Sequence, residues 1–492
     1  MRTPAQEQAS DERLHLLLAD AEENLPMLRS GLEFRASWDV PKPRLLPRRA
    51  EALTLDAPSK DPNDLPAQRW GVIAPEGREG DEMLQALEPL IRQREHQQGA
   101  CARRYRVPPN MDAEAAVRWR NSVYRAEDVP KEERPRYLLL LGDLHQVSIE
   151  LQHVLVHSAY VGRLHFAGPK GETDLAGYTA YARKLLTSEH EQDTTEVPEV
   201  LFYTALDGSD ATRWGHRLLV QPCLKAMDGK WKGKQPGMRI QHVPYDADSA
   251  NGLLSAARQA RAGVMLTVSH GLGAPSGGWP SVERQWAMQG ALCLGPGQVL
   301  SANLLQSTPF LPDGIWFCLA CFGAATPPDS TFHTWLERLA KAGVYPGSAD
   351  DVLRCLPRPG ERPFLAALPQ AVLANPRGPL AVIGHSDLAW SLGFTDPDNM
   401  HRSRASRFLE LLETLAEGSR AGVALDVLMG YYREVNDHVM TQYQLREDAA
   451  VRRKPDPVNP ARLGWQWMLR NDLRGYILLG DPAVRLPLKA AA

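Results

Sequence analysis

The sequence predicts an α/β protein with a mostly parallel β-sheet flanked by helices. Apolar runs of about five to eight residues alternate along the chain with segments that have the i, i+3, i+4 apolar spacing of helices. The apolar runs are continuous, as in strands that are buried on both faces of a parallel sheet. Of the 492 residues, 43% are hydrophobic and 23% are charged, which is the composition of an ordinary globular protein. Such alternation is typical of a sheet covered by helices on both sides.

The N-terminal region differs from the rest of the chain. Residues 11–30 have the pattern of a short amphipathic helix, and a charged, Pro-rich stretch follows them. Such a stretch indicates a linker or an arm lying on the surface. We therefore expect residues 1–65 to form an N-terminal arm, and we consider it a candidate for regulation.

Residues 66–195 form the first predicted α/β subdomain. In chain order, its main elements are a strand at 70–74, a helix at 81–97, a strand at 137–143 and a helix at 173–189. A polar break after the last helix marks the predicted boundary with the second subdomain.

Residues 196–492 repeat the same alternation and form the second predicted subdomain. Its elements are strands at 199–206, 238–244, 264–271, 314–323 and 379–386, and helices at 213–229, 247–263 and 332–343. In sheets of this kind, active sites lie just beyond the carboxyl ends of the strands. Residues that follow these strands are therefore the first candidates for chemistry.

Two strand ends in the second subdomain carry reactive side chains. The stretch VMLTVSHG ends in His270 and Gly271, and GIWFCLACFG brings Cys321 to the end of its strand. A histidine can take a proton from a thiol near neutral pH and return it to a leaving amine. A cysteine is partly thiolate at that pH and is intrinsically nucleophilic. The backbone N–H groups of Gly271 and Cys321 together could bind an oxyanion.

Either residue alone has an ordinary explanation. A cysteine in an apolar strand is usually a small core residue, which is the role we expect for Cys318. The separation of the pair carries more information, since 321 − 270 = 51 residues. Caspases have their histidine about 50 residues before a Q-A-C-[RQG]-G nucleophile motif, and the corresponding residues here, L-A-C-F-G, match it in part. We therefore predict a Cys321–His270 dyad, and the sequence identifies no third, orienting residue.

An ordered set of motifs resembles the gingipain-type cysteine peptidases, which are related to the caspases and to bacterial CHAT-domain proteases. In order, the motifs are PRYLLLLGD (135–143), YVGRLHF (160–166), SHG (269–271), FCLACFGA (317–324), PLAVIGHSDLAW (379–390) and YILLGDPAVRL (476–486). The resemblance covers roughly residues 135–485 and implies a caspase-like sandwich of two related subdomains. It also implies that Cys321 is the nucleophile and His270 the general base.

The resemblance further implies a set of substrate-binding residues. In this family the strand after the nucleophile helps line the S1 pocket, and the matching candidates are His385, Ser386, Asp387 and Trp390. Arginine-specific gingipains carry an acidic S1 residue shortly before the Gly-Arg strand, but residues 151–160 (LQHVLVHSAY) contain none. A buried substrate arginine would then lack a partner, so we do not expect a basic preference. Asp387 would restore a basic preference if its side chain pointed into the pocket, but we expect it to be an exposed loop residue.

Composition limits the cofactors, partners and compartment. The net charge of −3 argues against nucleic acid as a partner, and no apolar run is long enough to span a membrane. Six scattered cysteines and the lack of a signal-peptide pattern at the N-terminus indicate the cytoplasm. Hydrolysis by a Cys–His dyad needs no metal or organic cofactor. The expected partners are a protein substrate and either an activating protein or a small signalling ligand.

These observations favour a regulated intracellular cysteine endopeptidase, placed in a bacterial stress or antiviral pathway. The loops at 187–198 and 344–362 are candidates for cleavage during activation. The alternative is a caspase-like scaffold or signal-sensing module without catalysis. A covalent probe directed at thiolates would discriminate between these two functions.

Overall fold

The computed structural model describes residues 13–39, 61–190, 198–231, 238–246, 249–345, 349–396 and 402–488. The strands are β1 Arg13–Leu14, β2 Leu18–Asp20, β3 Leu32–Glu33, β4 Trp70–Pro75, β5 Arg103–Val107, β6 Tyr137–Leu141, β7 Tyr160–Leu164, β8 Glu199–Thr204, β9 Arg239–Val243, β10 Val264–Val268, β11 His270–Gly273, β12 Leu292–Gly295, β13 Gln298–Leu300, β14 Ile315–Leu319, β15 Ala325–Thr326, β16 Phe364–Leu365, β17 Ala381–His385 and β18 Tyr476–Leu479.

Helices connect most of these strands. The α-helices are Leu65–Gln68, Arg78–Gln98, Ala113–Trp119, Ile149–Leu155, Leu175–His190, Asp210–Gly215, Gln221–Ala226, Ser249–Gln259, Val282–Met288, Ala302–Leu305, His333–Lys341, Ala349–Cys355, Ala367–Ala374, Ser406–Ala416, Ala421–Val451 and Pro460–Arg474. Short 3₁₀ turns lie at Phe34–Asp39, Lys131–Glu133 and Ser391–Phe394, and π turns at Arg120–Tyr124, His216–Val220 and Met227–Trp231.

A ten-stranded sheet with the order β5-β4-β6-β7-β18-β17-β14-β10-β8-β9 forms the centre of the molecule. Its neighbouring strands are parallel except for the antiparallel pair β17–β18. The sheet therefore consists of two parallel halves that run in opposite directions and meet at that pair. This arrangement confirms the predicted fold class, an α/β caspase-like sandwich with a mostly parallel sheet flanked by helices.

Strand β6 shows how the helices cover both faces of the sheet. Leu139 belongs to a core that includes side chains of helices Arg78–Gln98 and Leu175–His190. Leu138 and its alternate neighbour Leu140 belong to a separate core with helices Ala113–Trp119 and Ile149–Leu155. Because successive side chains of a strand point to opposite faces, a continuous apolar run fits a strand that is covered on both sides.

The predicted strand at 264–271 is divided in the structure. β10 ends at Val268, and β11 begins at His270 in a second sheet with the order β13-β12-β11-β2. The N–H of Ser269, between the two strands, donates to the Leu319 carbonyl (3.2 Å). The chain thus changes sheets where the predicted active-site histidine is located.

The predicted helix over residues 11–30 is wrong. The described part of this region contains β1 and β2, and β1 pairs antiparallel with β3. Helical periodicity cannot identify this segment, because Leu14, Leu16, Leu17 and Leu18 are all at most 1% exposed. Neighbouring parts of the fold cover every side of the segment, so its conformation depends on tertiary contacts.

The two candidate activation loops also differ from expectation. Part of the first, residues 191–197, lies outside the described residues, and helix Leu175–His190 reaches the start of it. In the second, helix Ala349–Cys355 replaces part of the expected exposed loop, and Cys355 is 1% exposed. Only residues 358–362 form a continuous exposed stretch there within the described residues.

The central sheet crosses the predicted boundary between the subdomains. β18 comes from the second predicted subdomain but pairs with β7 of the first. The boundary itself falls on residues 191–197, outside the described part of the chain. In the portion that the structure covers, no helix has both the length and the apolar character needed to cross a bilayer.

Candidate active site

Cys321 and His270 lie at the same edge of the central sheet. β10 and β14 are parallel neighbours with Val268 paired to Leu319, so His270 and Cys321 each follow two residues after this last pair. Both residues are 0% exposed. The structure therefore brings together the two residues predicted from widely separated parts of the sequence. Cys318 is buried within β14, as expected for a core residue.

The two predicted oxyanion donors converge on one oxygen atom. The N–H of Gly271 donates to the Leu17 carbonyl at 3.0 Å, and the N–H of Cys321 donates to the same carbonyl at 3.1 Å. A side chain at position 271 could not fit, because its Cβ would lie 1.9 Å from the Cys321 carbonyl oxygen. Glycine is thus required for the close approach that aims both donors at one point.

Asp207 provides a third side chain that the sequence analysis did not identify. Its Oδ2 lies 3.3 Å from His270 Nε2, and Nε2 also hydrogen-bonds to Ser209 Oγ (2.9 Å). The other oxygen, Oδ1, accepts hydrogen bonds from Ser209 Oγ (2.7 Å) and Thr212 Oγ1 (2.8 Å). The carboxylate is therefore held in place by one oxygen and faces the imidazole with the other.

A signal for Asp207 was present in the sequence. It follows β8 by three residues, and β8 is the parallel neighbour of β10. A carboxylate just after the end of a predicted strand is a candidate for the same sheet edge as His270. Strand order, however, cannot be read from the sequence, so nothing distinguished Asp207 from other loop carboxylates.

The imidazole has one ring nitrogen engaged and one open. Nε2 contacts Ser209 and Asp207, whereas Nδ1 is buried and has no hydrogen-bond partner within the described part of the chain. Burial lowers the pKa of His270, and the nearby Asp207 carboxylate acts in the opposite direction. Neutral His270 can accept a proton, and Nδ1 is the nitrogen available for it.

The Cys321 thiol is bound to the backbone. Its Sγ accepts a hydrogen bond from the Ala389 N–H at 3.1 Å and lies 3.7 Å from the Ala389 carbonyl. Burial raises the pKa of this thiol well above its usual value. Burial therefore disfavours the thiolate form of Cys321.

The polar side chains that follow β17 have partners inside the protein. The ring nitrogens of His385 contact the Asp387 and Asp472 carbonyls, both at 2.9 Å, and Ser386 Oγ donates to the Gly475 carbonyl at 3.0 Å. Asp387 is 6% exposed and accepts from Ser330 Oγ at 2.7 Å, so the expectation of an exposed loop residue is wrong. These three side chains therefore form hydrogen bonds within the protein around the end of β17. Their direct contact with a substrate stays a prediction.

Trp390, the last of these four candidates, lies beside the segment whose Leu17 carbonyl accepts the two N–H hydrogen bonds. Residue Leu16 forms an antiparallel bridge with it. Its ring packs against Phe332 and Trp335, with centroids 5.7 and 5.5 Å away. The backbone N–H of Trp390 donates to Asp472 Oδ1 at 2.7 Å. The backbone around Trp390 therefore lines one side of the site in which the Leu17 carbonyl lies.

Two of the other motifs named in the sequence analysis have structural roles in this protein. Asp481 of the Gly-Asp-Pro motif is fully buried and pairs with the equally buried Arg94 at 2.7 Å. The guanidinium of Arg163, in the Gly-Arg strand, donates to the Gly142 and Asp143 carbonyls. Across the described ranges, no three His, Cys, Asp or Glu side chains form a group that could hold a metal ion.

Comparisons with known proteins assign no family to the chain. No protein-family model matches it, and no curated protein matches it. A solved structure described as "Structure of Protease" aligns with 12% sequence identity and a TM-score of 0.47, covering 86% of this chain and 78% of the other. A periplasmic sugar-binding protein from Pseudomonas fluorescens aligns with 11% identity and a TM-score of 0.14, covering 40% of this chain and 60% of the other. The function must therefore be argued from the site itself.

Proposed function

We propose that this protein is a cysteine endopeptidase of the gingipain type, with Cys321 as nucleophile and His270 as general base. The convergence of the Gly271 and Cys321 N–H groups on one carbonyl oxygen carries this proposal. Two donors aimed at one point beside a thiol form the arrangement that stabilises the oxyanion of acyl transfer. The same oxygen belongs to a peptide bond, which is the group that such an enzyme would cleave.

The proposed reaction proceeds through a thioester. His270 takes the thiol proton, and Cys321 Sγ bonds to the carbonyl carbon of the substrate while the oxyanion accepts the two N–H hydrogen bonds. The C–N bond then breaks, and His270 returns the proton to the leaving amine. A water molecule hydrolyses the thioester and restores the thiol, so one water is consumed for each peptide bond. In this scheme Asp207 is a positioning residue, because it acts on substrate only through His270.

The biological setting of the proposed enzyme rests on the sequence. Its place in the cytoplasm, in a bacterial stress or antiviral pathway, and its control by an activating protein or a small signalling ligand remain predictions. The complete burial of Cys321 and the hydrogen bond that its Sγ accepts from the Ala389 N–H support the view that the enzyme is held in a latent form.

Digestion of a mixed peptide library, with mass spectrometry of the products, tests the proposed activity. The wild type is compared with Cys321→Ala and with Cys318→Ala, which removes a neighbouring buried thiol from the same strand. We expect any cuts that the wild type makes to persist in Cys318→Ala and to be absent from Cys321→Ala. Cuts that persist in Cys321→Ala contradict the proposal.

If none of these proteins cuts the peptides, the chemical reactivity of Cys321 distinguishes a latent peptidase from a scaffold without catalysis. A peptidyl acyloxymethyl ketone is added to the wild type and to His270→Ala, and the labelled cysteine is mapped. Labelling of Cys321 that depends on His270 supports a latent peptidase. Equal, slow labelling of both proteins that persists when Leu17, whose carbonyl occupies the site, is replaced by aspartate supports the alternative, a scaffold without catalysis.

A further inference from the structure

A segment of the chain itself occupies the candidate active site. Residues Arg13–Asp20, here called the cleft segment, pass through it in extended form, and the Leu17 carbonyl receives both oxyanion donors. This carbonyl is therefore placed as the carbonyl of a scissile bond would be, and the bond in question is Leu17–Leu18. In a substrate, the residue at the position of Leu17 is called P1.

Backbone hydrogen bonds hold the cleft segment before Leu17. The Leu17 N–H donates to the Ala389 carbonyl at 3.1 Å, and the Ser391 N–H donates to the His15 carbonyl at 3.1 Å. Leu16 lies between them in the antiparallel bridge with Trp390. The segment thus adds a short strand to the wall of the cleft, a common way to bind an extended peptide.

After Leu17 the cleft segment changes partner. Its residues from Leu18 to Asp20 form β2, which pairs parallel with β11 in the register Gly271–Leu18, Leu272–Ala19 and Gly273–Asp20. The site therefore contacts the backbone on both sides of the Leu17–Leu18 bond. An extended polypeptide bound in this way continues beyond the attacked bond in both directions, as an endopeptidase requires.

The side chains of the cleft segment are fully enclosed. Leu16 and Leu18 are 0% exposed, and Leu17 is 1% exposed. His15 is also buried, and its ring stacks on that of Trp214 with centroids 5.1 Å apart. The cleft therefore accepts an apolar side chain at P1 and at the positions on either side of it.

The rest of the arm fastens the cleft segment to the fold. β1 pairs with β3 on the far side of a turn, and the Ala36 carbonyl then accepts a hydrogen bond from Trp335 Nε1 at 2.8 Å. A tethered occupant competes with free substrates at a high effective concentration. Meanwhile the Cys321 thiol is bound to Ala389 and has no hydrogen bond to His270 among the described contacts.

We infer that the cleft segment is an internal pseudosubstrate that keeps the enzyme latent, and that Leu17 reports the P1 specificity. Release of the segment opens the cleft to proteins that present an extended apolar stretch with leucine before the cleaved bond. The inference deepens the proposed function and rests on it for the chemistry. Its two parts, occupation of the cleft and preference for leucine, can be measured separately.

The test compares the full-length wild type with Leu17→Asp and with a control, Glu23→Lys. A carboxylate at position 17 would be buried without a partner, which favours release of the cleft segment. Glu23 lies in the exposed turn of the same arm, so its substitution changes charge without touching the cleft. Iodoacetamide measures access to Cys321, and the product is mapped by mass spectrometry. Circular dichroism confirms that each variant is folded.

Three peptidyl acyloxymethyl ketones measure specificity on the same proteins. They carry Leu-His-Leu followed by leucine, arginine or aspartate at P1, which reproduces residues 14–17 in the first case. Reaction forms a bond between Cys321 Sγ and the methylene carbon and releases the carboxylate. Because reactivity scales with the fraction of open molecules, we expect at least about tenfold faster labelling of Leu17→Asp by the leucine probe. We expect the leucine probe to exceed the other two by a similar factor.

The outcomes separate the inference from the proposed function. Faster iodoacetamide labelling of Leu17→Asp, with no reaction of any ketone, supports occupation of the cleft and contradicts the catalytic proposal. Equal iodoacetamide rates in folded wild type and Leu17→Asp overturn the pseudosubstrate. A faster arginine or aspartate probe overturns the assignment of Leu17 to P1.

A peptide added in trans provides a second measurement, in case Leu17→Asp does not fold. The peptide contains residues 11–20 and is added to Leu16→Asp, which releases the segment by the same principle. We expect this peptide to slow the labelling of Cys321, while a peptide of the same composition in reversed order does not. Equal effects of both peptides overturn the inference.

Discussion

At the scale of single residues, the site depends on one carboxylate that orients an imidazole. Asp207 is held by Ser209 and Thr212 through Oδ1, so that Oδ2 faces His270 Nε2 at 3.3 Å. The contact leaves Nδ1 as the ring nitrogen available to Cys321. A fixed imidazole is better placed to transfer a proton than one that rotates freely.

We expect Asp207→Asn to lower kcat/KM roughly 10- to 100-fold, part of what a positioned acid–base group contributes. The carboxylate raises the pKa of His270 against the effect of burial, so its loss should lower that pKa. The acid limb of the kcat/KM profile should therefore move to lower pH. The profile is measured in a Leu17→Asp background so that the cleft is open.

Asp210→Asn is the matched control, because Asp210 pairs with Arg213 beside the site and takes no part in the proposed mechanism. It should leave the acid limb in place. An equal displacement of the limb in both variants would show that the effect comes from the general loss of negative charge.

Gly271 is a second position at which a single added atom, a Cβ, should change both stability and activity. A Cβ there would lie 1.9 Å from the Cys321 carbonyl oxygen. We expect Gly271→Ala to cost about 1–3 kcal/mol of unfolding free energy through overpacking. Displacement of one oxyanion donor should also lower kcat by about 100-fold or more.

Chemical denaturation measures the first effect, and peptide hydrolysis in the Leu17→Asp background measures the second. Gly277→Ala serves as the control, since a Cβ at Gly277 meets no atom within 4 Å in the described structure. It should match the wild type in both assays. Wild-type activity in Gly271→Ala would contradict the role of the Gly271 N–H as an oxyanion donor.

At the scale of elements, helix Pro460–Arg474 supports the strand wall of the cleft through Asp472. One oxygen of this buried carboxyl accepts a hydrogen bond from the backbone N–H of Trp390 at 2.7 Å. Burial raises the pKa of Asp472 from its ordinary value of 3.8 to about 8. The folded protein therefore retains a proton here that the unfolded chain loses.

This difference predicts a pH dependence of stability. Between about pH 4 and pH 8 the folded state binds more protons than the unfolded state, so the Asp472 contribution falls as pH rises. An amide does not ionise, and Asp472→Asn should lack this loss. Between pH 5 and pH 8, we expect the free energy of unfolding of the variant to rise relative to that of the wild type by on the order of a few kcal/mol.

Urea denaturation at several pH values measures that relative gain. Asp437→Asn is the control, because Asp437 is an exposed residue of helix Ala421–Val451. The difference between Asp437→Asn and wild type should stay constant with pH. A constant difference for Asp472→Asn as well would mean that Asp472 is ionised in the folded protein throughout this range.

At the scale of the whole molecule, the two halves of the central sheet are joined near the C-terminus. β18 lies between β7 and β17, and Asp481 just after it forms a buried pair with Arg94 of helix Arg78–Gln98. Trp70 Nε1 also donates to Asp481 at 2.9 Å. The residues around β18, the last strand in the sequence, therefore connect β4 and helix Arg78–Gln98 to the centre of the sheet.

We expect Asp481→Ala to destabilise the whole protein by about 3–5 kcal/mol, because it leaves the Arg94 charge buried with less compensation. Calorimetry should show one unfolding transition that moves to lower temperature as a unit. Glu82→Ala, which breaks an exposed pair with Arg78, should barely change it. A separate early transition in Asp481→Ala would indicate that the two halves unfold independently.

Much of the architecture was determined by the sequence itself. Apolar runs such as YLLLL at β6 can be buried on both faces only within a covered parallel sheet, and the helical spacing of residues 81–97 predicts the observed helix. The positions of His270 and Cys321 just beyond the carboxyl ends of β10 and β14 were also predicted, because a strand's carboxyl end is visible in its local pattern. These features depend on short-range periodicity.

Only the tertiary structure decided how the site is completed. Asp207 is 63 residues from His270 (270 − 207), and the two meet because β8 and β10 are neighbours. The stretch LHLLLAD suits a helix or a strand equally, and its form is decided by hydrogen bonds to Gly271, Ala389 and Ser391. Strand order and the covering of one segment by another arise from long-range contacts, which leave no periodic trace in the sequence.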